Sequence, residues 1–301
     1  MSEARPYRLF DVALKRKAAL SPALWRLTFE GADVREMSTR AADQRIKLFF
    51  PTPDGKPPGL MHTPDWYAAY KATPVAIRPP MRTYTIRGLR AQAGEVDIDF
   101  VLHGETGPAS TWATRAHPGD RLQIMAPNAR YAGDPGGYEW KPPADLRRLL
   151  LIGDETALPA IAGILEDLAA LARPPQTQAF IEVPAAADQI ALPQWPGLAL
   201  QWLPRGHAPG HPEPGDLMVE AARRAVTPVR QMAEAAVLAE VDIEAVLPWE
   251  RAAPSSGAFY GWVAGESAAV LAIRKLLVAE KGVDRTALNL MGYWRNGRAM
   301  E

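Results

Sequence analysis

The hydrophobic period of this chain changes once, near residues 134–147, and that change constrains the fold more than any other feature. Before it, "LWRLTFEG" (24–31), "RTYTIRG" (82–88) and "EVDIDFVLHG" (95–104) alternate apolar and polar residues, and "RIKLFFP" (45–51) and "GDRLQIMAP" (119–127) add two more short apolar runs. A period of two means a strand with one face turned inward. Five or more such strands between Gly/Pro turns predict a small antiparallel β-barrel. "GPASTWATRA" (107–116) is the one helical stretch within it, and a proline-rich insertion from Thr52 to Pro80 carries a short helix in "PDWYAAYKA" (64–72).

After the change, "RRLLLIGDETALPAIAGILEDLAALARPP" (147–175) reads as a continuous apolar strand, a tight turn, and a helix stopped by two prolines. "TQAFIEV" (177–183), "LALQWLPRG" (198–206) and "AFYGWVAGE" (258–266) are expected as further buried strands. "ESAAVLAIRKLLVAEKG" (266–282) is an amphipathic helix ending at a glycine, and "TALNLMGYWRNG" (286–297) is a last strand and turn. Segments 214–225 and 232–250 are rich in Ala and Glu and read as helical. Strands alternating with helices predict a parallel α/β sheet. With 301 residues, roughly 150 per domain, the expected division is 1–140 and 141–301. A barrel followed by a nucleotide-type α/β domain is the order of the ferredoxin-reductase superfamily, an analogy of fold that leaves function to the site.

Lys plus Arg equals Asp plus Glu, 34 against 34, so no global basic field invites nucleic acid or an anionic membrane. A local basic pocket is still allowed. The absence of cysteine removes disulfides, thiolate-held zinc or iron–sulfur clusters and thiol catalysis. The five histidines form no HExxH motif, so no metal site is expected, and redox chemistry would fall to an organic cofactor. "MSEARPYRLF" lacks the apolar core of a signal peptide and no stretch approaches the roughly 20 apolar residues of a span, so the expectation is a cytoplasmic monomer without a membrane span.

Four stretches can carry chemistry. In "RTYTIR", alternation puts Arg82, Tyr84 and Ile86 on one face and Thr83, Thr85 and Arg87 on the other. The stretch is either an ordinary strand or one offering arginine to a phosphate and tyrosine to an aromatic surface. In "HGETGPASTWA" (103–113), Gly107, Pro108, Ala109 and Ser110 open a helix whose free amides suit a pyrophosphate, with a plain helix cap as the alternative. "LLLIGDETALPAI" (149–161) runs from strand to helix where α/β sheets bind ligands. It lacks GxGxxG, and Asp154 and Glu155 would repel a pyrophosphate; they either cap the helix or accept from ribose hydroxyls or an adenine amino group. "YGWVAGESAAVLAIR" (260–274) repeats that turn at Gly265 and Glu266, and "GYWRNG" (292–297) adds an aromatic pair and an arginine that read either as packing or as cover for a ligand.

Together, "RPPMRTYTIR", "DFVLHGETGPASTWA", "GDETALPAI", "FYGWVAGESAAVLAIRKLL" and "MGYWRNG" resemble, in order and spacing, the siderophore-interacting protein family, the FAD-dependent ferric-siderophore reductases of bacteria. The resemblance extends from about Arg5 to Arg298. It implies an FAD-binding barrel joined to an NAD(P)H-binding α/β domain. It implies that Arg82, Tyr84 and Thr85 hold the flavin mononucleotide half and that His103, Gly107, Pro108, Ala109 and Ser110 surround the pyrophosphate. Asp154, Thr156 and Ala157 then belong to a turn near the cofactor, and Gly265 and Glu266 lie close to the reduced nicotinamide nucleotide. Lys47, Arg130 and Arg295 are the candidates to bind the anionic ferric chelate, although "APNARY" (126–131) lacks the glycine that the family often has after this strand.

The implied activity is NAD(P)H:ferric-siderophore reduction releasing Fe(II), for bacterial iron acquisition. Nicotinamide gives two electrons as hydride, Fe(III) takes one, and a flavin converts between them. No side chain need act as acid, base or nucleophile. The alternatives are a related flavin reductase with another acceptor and a non-catalytic siderophore-binding protein. NADH, NADPH or a ferredoxin-like protein are the possible donors; Arg205 in "LPRG" lies where a 2′-phosphate could bind.

Overall fold

A computed structural model of the chain describes residues 4–63, 65–102, 104–105, 107–210, 212–227, 247–253 and 257–297. The chain divides into two compact units, Met1–Tyr138 and Glu139–Met300.

The first unit is a seven-stranded antiparallel sheet of β1 (Tyr7–Ala19), β2 (Leu24–Glu30), β3 (Arg45–Phe49), β4 (Met81–Thr85), β5 (Gly88–Arg90), β6 (Glu95–Val101) and β7 (Arg121–Pro127), in the spatial order β4-β3-β7-β1-β2-β6-β5. The sheet curls on itself: Tyr84 of β4, at one end of that order, meets Phe100 of β6 near the other, with ring centroids 4.3 Å apart. Inward-facing Phe10, Leu27, Phe29, Leu48, Ile98 and Ile124 fill the interior. Helix α1 (Trp66–Ala72), in the proline-rich insertion, sets Tyr70 edge-on against Phe49 at 5.5 Å. Helix α2 (Pro108–Arg115) adds Ala109 and Ala113 to the core and stacks Trp112 on Phe29 at 6.0 Å.

Strand β1, at 13 residues the longest, is absent from the sequence reading. Its first half pairs with β7 and its second with β2, with Lys15 as an extra residue where the register shifts. Such a bulge sharpens the bend that lets one strand serve both sides of a curled sheet.

The second unit has β8 (Arg148–Gly153), α3 (Leu158–Ala169), β9 (Gln176–Val183), β10 (Leu198–Pro204), α4 (Asp216–Arg224), β11 (Trp249–Glu250), β12 (Tyr260–Glu266), α5 (Ser267–Arg274) and β13 (Leu288–Trp294). The order is β10-β9-β8-β12-β13-β11, parallel except for β11, which runs against β13. Central β8 and β12 are buried on both faces, as parallel strands under two layers of helix must be.

Three expectations change. Helix α3 ends at Ala169, short of the two prolines. β10 is an edge strand alternating exposed and half-buried residues, so its apolar alternation marked an edge and not the core. Trp249–Glu250 is a strand, while most of the Ala/Glu-rich stretch before it lies outside the described residues. Lys275–Glu280 continues α5 as a π-helical turn, and Gly282 follows at φ 66°, the left-handed geometry that ends a helix.

Candidate functional site

In the first unit, the pairing of β3 with β4 sets two chemically different faces. Lys47 lies opposite Thr83 and Arg45 opposite Thr85 on one face; Leu48 lies opposite Arg82 and Ile46 opposite Tyr84 on the other. The Lys47 ammonium donates to Thr83 Oγ1 at 2.6 Å. It is half-buried and has no carboxylate partner among the described residues; burial, then repulsion from Arg45, lowers its pKa. Arg82 is also half-buried, and its one hydrogen bond among the described residues runs from Nη1 to the Met81 carbonyl at 2.8 Å. Tyr84 leans its ring on Phe100 and, at 6.5 Å, on Phe50, and burial raises its hydroxyl pKa against the pull of Arg82. Thr85 is buried. Arg87 faces the buried carboxylate of Asp99 at 3.8 Å, which accounts for it structurally.

Helix α2 begins at Gly107 with extended backbone, and Pro108 occupies its first position. The Thr111 amide makes the first helical bond, to the Gly107 carbonyl at 2.9 Å. Helix geometry therefore leaves the Ala109 and Ser110 amides without an intrahelical acceptor. The Ser110 hydroxyl is already used: it donates to the Gly107 carbonyl at 3.1 Å and accepts from the Gly107 amide at 3.3 Å. Among the described residues a Cβ added at Gly104 or Gly107 would meet nothing within 4 Å, which leaves the approach to this helix start open on their side. His103, expected beside it, lies outside the described residues.

Arg130 is exposed and ion-paired with Glu36, which also takes Arg8. A chelate reaching for Arg130 competes with that carboxylate, although an exposed pair is a weak competitor, roughly 0–1 kcal/mol. Arg45 and Thr83, which stand on the face of Lys47, were missed. The alternation in "RIKLF" already put Arg45 on that face.

In the second unit, Asp154 ties three strand ends together. Oδ1 accepts from the Thr156 amide at 2.9 Å and its hydroxyl at 2.5 Å; Oδ2 accepts from the Glu266 amide at 2.8 Å and the Trp294 indole at 2.7 Å. The carboxylate is fully buried, and burial, reinforced by neighbouring Glu155, raises its pKa to about 7 against the pull of those hydrogen bonds. Gly265 belongs to the same knot: at φ 152°, a Cβ there would stand 2.5 Å from Asp154 Oδ2. Glu266 caps α5, accepting from the Ala269 amide at 3.0 Å, and also accepts from the Asn296 amide at 3.2 Å. Ala157 is buried under Gly153, where a Cβ would approach it to 2.7 Å. The structure thus brings Asp154, Thr156, Gly265 and Glu266 together, with their polar atoms turned on one another. Trp294, whose role in this knot was missed, gave no signal beyond its aromaticity. Tyr293 stacks on Trp249 at 6.0 Å, so that half of the aromatic pair is packing, and half-buried Arg295 follows.

Arg205 is not free. Its guanidinium forks onto Glu155 at 2.8 and 3.0 Å and donates to Glu182 at 2.7 Å. Glu182, fully buried, also accepts from the Gly215 amide at 2.7 Å and the Met218 amide at 3.1 Å, at the start of α4. Removing one member of such a buried set costs roughly 3–5 kcal/mol, because a charge is left uncompensated. An acid inside the apolar strand "FIEV" was the sequence signal for Glu182.

Among the described residues no cluster of three or more His, Asp or Glu could hold a metal ion, and no helix is long and apolar enough to cross a membrane.

Comparison with known proteins matches both units. The siderophore-interacting FAD-binding domain model covers residues 13–131, and the siderophore-interacting protein model covers residues 146–297. Ferric vibriobactin reductase ViuB of Vibrio cholerae is 32% identical over 294 residues, 98% of this chain and 91% of that protein. An NADPH-dependent ferric-chelate reductase of Escherichia coli is 32% identical over 200 residues, 65% of this chain and 71% of its own. The crystal structure of a siderophore utilization protein from T. fusca shares 28% identity and a TM-score of 0.71, covering 99% of this chain and 96% of the other.

Proposed function

This chain belongs to the siderophore-interacting protein family, and from that membership we propose that it reduces ferric siderophores with electrons from NAD(P)H through a bound FAD. The observation that carries the reading is Arg82: a half-buried guanidinium whose only bond among the described residues is to the adjacent carbonyl. A desolvated cation without a carboxylate is costly unless a ligand completes it, and a phosphate ester does so with two parallel hydrogen bonds. The open start of α2, with the Ala109 and Ser110 amides unclaimed by the helix, fits the second phosphate of the same cofactor. The first unit therefore fits FAD, with Arg82, Gly107, Pro108, Ala109 and Ser110 on its phosphates, Tyr84 beside its ring on the face of Arg82, and the backbone of buried Thr85 at the ring edge.

Bound there, FAD supplies the conversion of a two-electron hydride donor into single electrons for Fe(III). The chain's residues bind and orient. Lys47, with Arg45 on the same face, attracts an anionic ferric chelate in a protein of zero net charge. Because hydride carries two electrons and each Fe(III) takes one, one NAD(P)H serves two ferric ions. Hydroxamate, catecholate and carboxylate ligands hold Fe(II) far more weakly than Fe(III), so the metal leaves on reduction. The Asp154–Gly265–Glu266 knot is rigid framing: it holds the β8 and β12 strand ends and the start of α5, where a pyridine nucleotide would be seated. In this reading the protein works in the cytoplasm as a monomer, and a ferredoxin-like donor is the alternative source of electrons.

The test is anaerobic. Purified flavin-loaded protein is mixed with NADH or NADPH, then with ferric hydroxamate, catecholate and carboxylate chelates in the presence of an Fe(II) trap. The reading expects bleaching by a pyridine nucleotide and recovery of the yellow colour with Fe(II) release. A protein that takes up no FAD, or a reduced protein that no chelate reoxidises, refutes it.

A further inference from the structure

Strands β8, β9 and β10 are parallel neighbours, and the carboxyl edge of a parallel sheet is where such domains seat ligands. The turns beyond them, residues 154–157, 184–197 and 205–215, contain one arginine, two histidines and no lysine. That arginine is Arg205, and the fold has withdrawn it. Its side chain is 13% exposed, those of Glu155 and Glu182 are 4% and 0%, and the guanidinium touches both carboxylates. Two carboxylates face one guanidinium, and the surplus negative charge of Glu182 rests on the Gly215 and Met218 amides at the start of α4. An anion-receptive helix start is thus filled from within.

The donors differ at one place: NADPH carries a 2′-phosphate, close to doubly charged at neutral pH, where NADH carries a neutral hydroxyl that can donate to a carboxylate. At this edge a 2′-phosphate would find the one arginine already matched by two carboxylates. We infer that the second unit takes NADH in preference to NADPH, and that Glu155 and Glu182 set the preference by withholding Arg205 from a 2′-phosphate. The inference rests on reading this unit as the pyridine-nucleotide domain.

Two measurements on the FAD-loaded full chain test it: steady-state kinetics with NADH and NADPH, and calorimetric titration with 5′-AMP and 2′,5′-ADP, which differ only in the 2′-phosphate and isolate the adenosine end from redox chemistry. One unfavourable like-charge contact in a partly screened site is worth about tenfold. The expected result is therefore kcat/KM at least about tenfold higher for NADH, with 2′,5′-ADP bound at least about tenfold more weakly than 5′-AMP. Glu155→Gln removes half of the clamp and narrows the 5′-AMP to 2′,5′-ADP ratio severalfold. Arg205→Lys, which keeps the buried charge for folding, leaves that ratio as in the wild type. Equal or better use of NADPH, tighter binding of 2′,5′-ADP than 5′-AMP, or selective loss of 2′,5′-ADP binding in Arg205→Lys overturns the inference and leaves the reductase reading intact. Failure of both nucleotides to bind, with neither dinucleotide reducing the flavin, defeats the domain reading and the inference with it.

Discussion

Replacing Arg82 with alanine separates its role in a ligand site from its role in the fold. The side chain gives up one hydrogen bond, to the Met81 carbonyl at 2.8 Å, and no ion pair among the described residues. Folding stability should therefore move by about 1 kcal/mol or less, because the one hydrogen bond lost is offset by relief of a half-buried charge that has no carboxylate among those residues. The expected loss toward FAD is larger. A hydrogen bond to a charged group contributes about 1.5–3 kcal/mol, and at 1.4 kcal/mol per tenfold the loss of one such contact weakens FAD binding about 10- to 150-fold. The assay strips the flavin, titrates the apoprotein with FAD by flavin fluorescence, and repeats the titration with riboflavin, which has no phosphate. Riboflavin affinity should hold within about twofold if Arg82 reads the phosphate as a charged fork. Arg82→Lys, which keeps the charge and loses the fork, should fall between wild type and alanine. Equal loss for FAD and riboflavin would mean that Arg82 acts through the shape of the barrel, and no loss for either would remove it from the site.

Three further outcomes follow from the same geometry. Gly265→Ala places a Cβ 2.5 Å from Asp154 Oδ2 and 3.1 Å from Met218 Cε at φ 152°; backbone strain and overpacking of about 1–3 kcal/mol each predict a loss of roughly 2–6 kcal/mol in urea unfolding, and a loss below about 1 kcal/mol refutes the knot as drawn. Lys47→Ala should raise KM for an anionic ferric chelate about three- to tenfold and flatten the salt dependence of its reduction; unchanged salt dependence removes Lys47 from the chelate's path. Because burial and Arg45 lower the Lys47 pKa below 10.5, the wild-type advantage should fade as pH rises through that lowered value, where the ammonium loses its charge. Asp154 holds its proton to about pH 7 when folded against 3.8 as the unperturbed value. Between those values the native state binds the proton that the unfolded chain has released, so this group's contribution is most favourable below pH 3.8 and declines as pH rises toward 7. Asp154→Asn should flatten that decline in chemical unfolding measured from pH 4 to 7, and parallel slopes for the two proteins would show that Asp154 does not carry it.

What could be read from the sequence was what a short window contains. Strands β2 and β6 follow their own alternation, β3 and β7 are short apolar runs, and the β8–α3 turn is announced by an apolar run that meets a glycine and then a helical pattern. Strand β1 could not be read that way: "YRLFDVALKRKAA" breaks its alternation at Lys15, and it is a strand because β7 and β2 pair with its two halves. The same limit divides the basic residues. Arg82, Lys47, Arg130 and Arg205 were equally available in the sequence, each within a strand or in the turn beyond one. The fold brings Glu36 to Arg130 from 94 residues away and Glu155 to Arg205 from 50, while Arg82 and Lys47 receive no carboxylate among the described residues. Asp154 shows the converse: its position suggested either a cap or a ribose acceptor, and the Trp294 indole, 140 residues away, is among the donors that fill its oxygens. A charged side chain is open to an ion of opposite sign where tertiary structure has left it without an internal counter-charge. By that criterion Arg82 and Lys47 are the residues proposed for anionic ligands, and the edge that holds Arg205 between Glu155 and Glu182 is the one inferred to suit a donor without a phosphate at the 2′ position.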